Sequence, residues 1–276
     1  VTLQSDGEYA EPRGYSSHIV KTTSLHEGQL EFITSPARVT AVTAGQGGGK
    51  TSGAYEWLHP RMKLHPGFSW FIGFPTYKLL DRVVINPVDP ERPTLIQFLE
   101  EMGEEPVLHK IASWIECISG NILFASAENL KPWDGSHVAG FWIDEFDECP
   151  LGAFKRAMER TRYYAGQRDQ YGLTMGQVLL TGTPRNVKWI KQELGTPEKP
   201  SLNYDVKFVK FKSTANPHYS EKSMEEARRT LPAWEYRRLY EGELAEKAGG
   251  NLYHREWWKE YSLVFENGHW IAEIDN

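Results

Sequence analysis

The stretch AVTAGQGGGKTSGA, residues 41 to 54, runs from a β-like segment through four glycines into Gly49-Lys50-Thr51 and then into a helical pattern. Phosphate oxygens need several backbone N–H groups pointing inward at once, and glycines at 45, 47, 48 and 49 permit the left-handed backbone and close approach this requires. The sequence therefore predicts a phosphate-binding P-loop at a helix N-terminus, whose partial positive charge completes the cradle. Candidate binding residues are Gly45, Gln46, Gly47, Gly48, Gly49, Lys50, Thr51 and Ser52. Lys50 is expected to reach the β- and γ-phosphates as a catalytic cation, and Thr51 to place its hydroxyl on Mg²⁺. The first glycine of the usual GxxxxGK[ST] pattern is Ala44 here. A chance glycine loop with an accidental Lys-Thr is the competing reading, and it accounts for neither the strand before nor the helix after.

About ninety residues further on, VAGFWIDEFDE (138 to 148) is an apolar run ending in Asp144-Glu145. A carboxylate at the end of a buried strand is costly without a partner. The expected partner is hydrated Mg²⁺ held by Asp144, with Glu145 as the catalytic base that orients water, the two tasks that ATP hydrolysis adds to a P-loop. Glu148 is the second choice for that base, and Asp147 is a spare. An acidic helix N-terminus would give a similar pattern. A third segment, QVLLTGTPRN (177 to 186), is an apolar strand ending in Thr181, Gly182 and Thr183, whose hydroxyls are candidates for coupling γ-phosphate loss to neighbouring segments. An ordinary strand-to-turn exit has the same composition.

Outward from these motifs, strand patterns fall at 38–43, 69–74, 113–118, 122–125, 138–143, 178–181 and 206–211, with helical stretches at 51–58, 94–102 and 151–162. Several strands are apolar on both faces, which suits a mostly parallel sheet covered by helices on each side. The expected fold is α/β. After residue 212 the strand signals stop. Ser220 offers an N-cap for SEKSMEEARRTL, and Pro232 separates it from AWEYRRLYEG. The chain divides accordingly into a core over 1–212, a small helical subdomain over 213–245 and a linker over 246–276.

Composition narrows the class without deciding it. The chain has 276 residues, 40% hydrophobic and 25% charged, as in ordinary globular proteins. No apolar run approaches a membrane span of roughly 20 residues, and no membrane partner is expected. Two cysteines, Cys117 and Cys149, without a CxxC pair, favour a reducing compartment over a disulfide framework. The N-terminus shows no signal core and starts with Val1, so secretion is not expected and the chain reads as processed or trimmed. A net charge of −6 confines any nucleic-acid contact to local patches, such as RMK (61 to 63), KFVKFK (207 to 212) and the arginine pairs at 228–229 and 237–238, each of which also suits a solvated surface. The nine histidines show no HExxH or other metal spacing, and GxSxG is absent.

Taken in order, these pieces resemble the ATPase domain of the large terminase subunit, the DNA-packaging motor of tailed bacteriophages. The resemblance runs from about residue 25 to about 255. It is carried by GQLEFITSPARVTAVTAGQGGGKTS, SGNILFASAENLKPWDGSHVAGFWIDE, TGTP, and STANPHYSEKSMEEARRTLPAWEYRRLYEGEL. It implies a RecA-like, ASCE-type P-loop NTPase fold, ATP and Mg²⁺ as cofactors, and Gln29 at the place of the family's adenine-recognising glutamine. It also implies double-stranded DNA, a portal protein and the small terminase subunit as partners. The expected setting is a ring on the procapsid, in the host cytoplasm and at the portal vertex.

Two departures accompany the resemblance. Where many terminases carry a basic finger residue, this chain has Gln46 and the Trp133-Asp134-Gly135 turn, so Arg160, Arg162 and Lys131 become the candidates for an arginine finger. The family's nuclease domain would begin near the chain's end, with Asp275 as a conceivable first metal ligand, and nuclease activity is not expected in this chain alone. Two further readings stay open. One is a superfamily 2 helicase-like translocase, which needs a second RecA-like domain. The other is a nucleotide-gated assembly module with negligible hydrolysis.

Overall fold

In the computed structural model, the described residues are 25–89, 92–135, 137–167, 175–186, 188–245, 261–266 and 269–274. Their strands are β1 (Val39–Ala44), β2 (Phe68–Phe74), β3 (Val107–His109), β4 (Trp114–Cys117), β5 (Gly120–Ser126), β6 (Gly140–Asp144), β7 (Gln177–Gly182), β8 (Gly195–Thr196), β9 (Lys199–Pro200) and β10 (Val206–Phe211). Eight of them form one sheet in the order β10-β1-β7-β6-β2-β5-β4-β3. The six from β10 to β5 run parallel, and β4 and β3 continue antiparallel. The order places β7 between the strand that enters the glycine loop and the strand that ends in Asp144. Three candidate motifs thus leave the same edge of the sheet on adjacent strands.

The helices are α1 (Glu27–Ile33), α2 (Lys50–Leu64), α3 (Tyr77–Leu80), α4 (Leu95–Glu101), α5 (Leu151–Thr161), α6 (Lys188–Glu193), α7 (Glu221–Thr230) and α8 (Ala233–Glu241). They cover both faces, as two-sided apolar strands require. Side chains of the central strands alternate between two cores. Val42, Trp142 and Leu179 join Ala54, Trp57 and Leu58 of α2 on one face. Ala41, Phe141, Ile143, Val178 and Leu180 join Ala153 and Phe154 of α5 on the other.

Several boundaries differ from the sequence reading. Helix α2 continues past Leu58 and through Pro60 to Leu64. Burial of Leu58, His59, Arg61 and Met62 outweighs the lost amide donor. Short elements below the reach of periodicity, α1 and β3 among them, were not expected. A π-type turn, Asp81–Ile85, continues α3, with Asn86 N–H donating to Asp81 O at 2.8 Å. Within the segment read as a linker, Tyr261–Glu266 pairs antiparallel with His269–Ile274. Asp275 lies outside the described residues.

A buried ionic cluster pins the far end of α2 to the sheet. The Glu104 carboxylate is fully buried and meets His59 Nε2 at 2.9 Å and Lys63 Nζ at 3.1 Å. It also accepts from Ser119 N–H at 2.9 Å and Ser119 O–H at 2.8 Å. Burial pushes the Glu104 carboxyl up, but the two Ser119 donors and Lys63 together hold it below the usual carboxylate range. Burial in turn lowers the His59 pKa. A lowered carboxylate pKa contributes stability above the unfolded value that is lost as pH falls through the folded one. Glu104→Ala is expected to cost about 2–4 kcal/mol in urea unfolding at neutral pH, because the donors around it are left unsatisfied. The difference from wild type should shrink in acid; a difference that is unchanged at pH 3 counts against the cluster's ionised state.

Candidate active site

Beyond Ala44 the chain enters the loop with Gly45 N–H donating to Phe211 O at 3.0 Å and Gln46 N–H to Leu239 O at 2.7 Å. Those two amides serve to anchor the loop. Gln46 also lines the cleft, and Gly45 does not. Gly47 (φ +68°) and Gly49 (φ +89°) adopt the left-handed backbone that turns the loop into α2, a conformation L side chains resist. Behind the loop, Gln29 donates to Gly49 O at 2.8 Å and Ser52 Oγ at 3.3 Å, while its Oε1 accepts His26 N–H at 3.2 Å. Both ends of its amide are thus engaged in bracing the loop. Gln29 is buried and braces the loop from behind the cleft lining.

Lys50 opens α2 and is buried. Its Nζ donates to Thr183 Oγ1 at 2.8 Å, Gly45 O at 3.2 Å and Ala44 O at 3.3 Å. Burial lowers its pKa, while the carboxylates of Glu145, Asp144 and Asp147 oppose the shift. The next residue, Thr51, has its Oγ1 3.3 Å from Asp144 Oδ2. Asp144 Oδ1 accepts from Thr181 Oγ1 at 2.7 Å, and that hydroxyl accepts from Trp142 Nε1 at 2.7 Å. Burial and the Glu145 carboxylate raise the Asp144 pKa. Thr181 is accordingly an anchor for the acid at the strand end. It and Gly182 do not reach the cleft, and Thr183 alone of the expected coupling set lines it.

Glu145 sits in left-handed backbone (φ 44°, ψ 48°), which costs a non-glycine residue about 1–2 kcal/mol. Its Oε2 accepts from Thr183 N–H at 3.2 Å and Arg185 Nη1 at 3.3 Å. Arg185 Nη1 also reaches Glu148 Oε1 at 2.8 Å, and Arg185 N–H donates to Asp147 Oδ2 at 2.9 Å. Asp147 is fully buried, with Oδ1 unpartnered, and burial followed by the Glu145 charge raises its pKa to about 7.

These groups face a cleft of about 560 Å³ lined by the loop, Asp144, Glu145, Thr183 and Arg185. Tyr55, Leu79, Val83, Val88 and Pro93 add apolar lining, with Arg82 and Arg92 among them. Tyr55 donates its O–H to Val83 O at 3.0 Å, tying the π-type turn to α2. From the helical segment, Asn216 Nδ2 donates to Gly47 O at 2.7 Å, and Arg238 Nε donates to Pro184 O at 2.6 Å.

The expected finger candidates lie away from the cleft of their own chain. The Arg160 carbonyl accepts Val138 N–H at the entry to β6, at the opposite edge of the sheet from Asp144, and its side chain bonds Gly135 O at 2.9 Å. Arg162 follows at the end of the same helix, and Lys131 is exposed outside the cleft lining. Within one chain none of the three lines the cleft. Arg185 does, and its position two residues after Thr183 was the available signal.

A family model described as "Terminase large subunit, T4likevirus-type, N-terminal" matches residues 42–260. The chain belongs to the large terminase family. Among solved structures, the terminase chain is similar to the large terminase of the thermophilic bacteriophage D6E in complex with ADP, at 19% identity and TM-score 0.61. That match covers 80% of this chain and 53% of the D6E chain, so the terminase chain spans about half the length of that relative. The ATPase domain of the Thermus phage P74-26 large terminase matches at 18% identity and TM-score 0.58, covering 80% of this chain and 94% of that one. The D6E protein was also solved with ATP-gamma-S. At these identities the structural likeness is one of fold: the α/β architecture, a mostly parallel sheet flanked by helices, expected from the sequence. A search of the curated proteins gave no match. Among the described residues, no helix is long and apolar enough to cross a membrane.

Proposed function

We propose that this domain binds ATP with a divalent cation and hydrolyses it, as the ATPase part of a motor that packages double-stranded DNA. The observation that carries the reading is the meeting of Lys50, Thr51, Asp144, Glu145 and Thr183 on one cleft at the C-terminal ends of adjacent parallel strands. Lys50 and the first-turn amides of α2 suit the phosphates, and the apolar lining of Tyr55, Val83 and Pro93 suits a base. A hydroxyl and a carboxylate oxygen 3.3 Å apart form a hard-oxygen donor pair that fits Mg²⁺, so Thr51 and Asp144 would hold the ion. When bound, the ion supplies charge neutralisation for the phosphate oxygens.

The chain's own residues do the rest. Thr181 fixes the rotamer of Asp144, and Thr183 N–H holds one oxygen of Glu145. The other oxygen, Oε1, is left to orient a water and take its proton. The family assignment supports duplex DNA, a portal protein, a small terminase subunit and ring assembly as the setting, and the contact of α8 with the loop supports a route from nucleotide to motion.

The test is inorganic phosphate release per chain across protein concentration, with Mg²⁺-ATP, with and without duplex DNA. Release that requires Mg²⁺ and rises with concentration or with DNA is the expected result. ATP binding with negligible, flat release under every condition would overturn it in favour of a nucleotide-gated assembly module.

A further inference from the structure

Three consecutive carbonyls of the glycine loop are each taken up by a side chain from another part of the chain. Asn216 Nδ2 donates to Gly47 O at 2.7 Å, His26 Nε2 meets Gly48 O at 2.9 Å, and Gln29 Nε2 donates to Gly49 O at 2.8 Å. His26 Nδ1 accepts Gln29 N–H at 3.3 Å as the N-cap of α1, so the ring proton sits on Nε2 and is donated to Gly48 O. The ring itself rests edge-on against Phe211, with 4.8 Å between centroids. Asn216, on the segment that follows β10, is held as firmly. Its Oδ1 accepts His218 N–H at 3.0 Å, and its own N–H donates to Ser213 O at 3.1 Å. Tyr219 packs on Gly47, where an added Cβ would lie 2.6 Å from the ring. The peptide between Gly47 and Gly48 is therefore fixed at both ends, by Asn216 on its carbonyl and by Gly48 N–H donating to Gly45 O at 3.1 Å.

We propose that Asn216 and His26 are positioning residues for phosphate binding. With Gln29 they clamp the Gly47, Gly48 and Gly49 carbonyls, so that the first-turn N–H groups of α2 meet the phosphates with no loop oxygen competing. The proposal rests on the nucleotide reading above and adds which side chains give the loop its grip. Glycine lets a loop approach a phosphate but does not order it. Each peptide between two glycines rotates at little cost, and a rotation that turned a carbonyl inward would set its oxygen against the phosphate oxygens. The N–H groups of Lys50, Thr51 and Ser52 have no acceptor within the helix, so the gain from keeping carbonyls away from them falls directly on the anion. Holding the dipoles in place before the ligand arrives spares binding the cost of ordering them. His26 and Gln29 act from outside the cleft lining, and Asn216 acts from within it. The clamp therefore closes only when α1 and the segment after β10 are both seated on the loop.

The test is calorimetric titration of the full chain with magnesium tripolyphosphate, which carries no base, and with Mg²⁺-ATP, for wild type, Asn216→Ala, His26→Asn and the double variant. His26→Asn keeps a capping acceptor for α1 and is too short to serve Gly48 O, so it isolates the loop bond. Each single variant should bind both ligands about fivefold more weakly or worse, at one site per chain, the order expected for losing one hydrogen bond. The double variant should bind more weakly than either. The loss should be equal for tripolyphosphate and ATP, because the clamp acts on the phosphates and not on the base. A merely structural role would lower the fraction of chains that bind and leave the Kd of the rest unchanged. Wild-type Kd values in whichever of these variants fold overturn the clamp, and a loss confined to ATP overturns it in favour of a contact with the base. Wild type that binds neither ligand overturns the nucleotide reading itself.

Discussion

Glu145→Gln is expected to lower steady-state phosphate release by about 10²–10⁴-fold while leaving ATP affinity within about threefold of wild type. The substitution keeps size and shape, so the left-handed backbone at this position and the turn through Phe146–Glu148 are undisturbed. An amide oxygen can still accept Thr183 N–H, which holds the side chain in place. What is lost is the capacity to take a proton from water as it attacks. Glu148 was the alternative base on sequence grounds, yet it is partnered on the outer side of Arg185 and does not line the cleft. Glu148→Gln should therefore retain far more turnover than Glu145→Gln. The reverse order in a phosphate-release assay would exchange their roles.

Lys50→Met is expected to weaken ATP binding by about 10²-fold or more and to abolish measurable turnover. Its ammonium is buried, which removes competition from water, and it sits where β1, β7 and the loop meet. The same burial gives the lysine a second task. Asp144, Glu145 and Asp147 all act on Lys50 electrostatically, so a neutral replacement leaves three carboxylates with less compensation. Methionine preserves most of the buried stem, which limits the packing loss. Calorimetric titration with ATP checks the binding loss, and thermal unfolding without nucleotide reports the electrostatic one. Wild-type affinity in a folded Lys50→Met chain would remove the phosphate-binding role.

The parts of the site that were legible in the sequence are those whose chemistry is local. The glycines, Lys50 and Thr51 act within one strand-loop-helix unit, and Asp144 and Glu145 announce themselves as charges at the end of an apolar run. Each of those residues lines the cleft, Gly45 and Gly48 of the loop excepted. What sequence could not supply was adjacency. Arg185 meets Glu145 and Glu148 because β6 and β7 are neighbours, with Asp144 opposite Thr181 in register. The one local trace at 185 is its place two residues after Thr183. Arg160 and Arg162 became finger candidates because the usual places hold Gln46 and the Trp133-Asp134-Gly135 turn, and α5 carries them back to the far edge of the sheet. Gln29 is a further case of adjacency: its place in the chain matches the resemblance, and the structure adds its amide contacts to His26 and Gly49. Burial decided the helix ends in the same way, extending α2 through a proline that local propensity treats as a stop.

The bond from Gln46 N–H to Leu239 O ties the phosphate loop to the last turn of α8, and Gly242 follows where a side chain would collide with Thr43 and Ala44. The loop is thus both the nucleotide's grip and the mechanical mount of the helix pair. Linked equilibria are reciprocal. If filling the cleft displaces the helices by some amount of free energy, a load on the helices changes nucleotide affinity by that same amount. On the proposed function, resistance met at the helices would be felt directly as a weaker or stronger hold on the nucleotide.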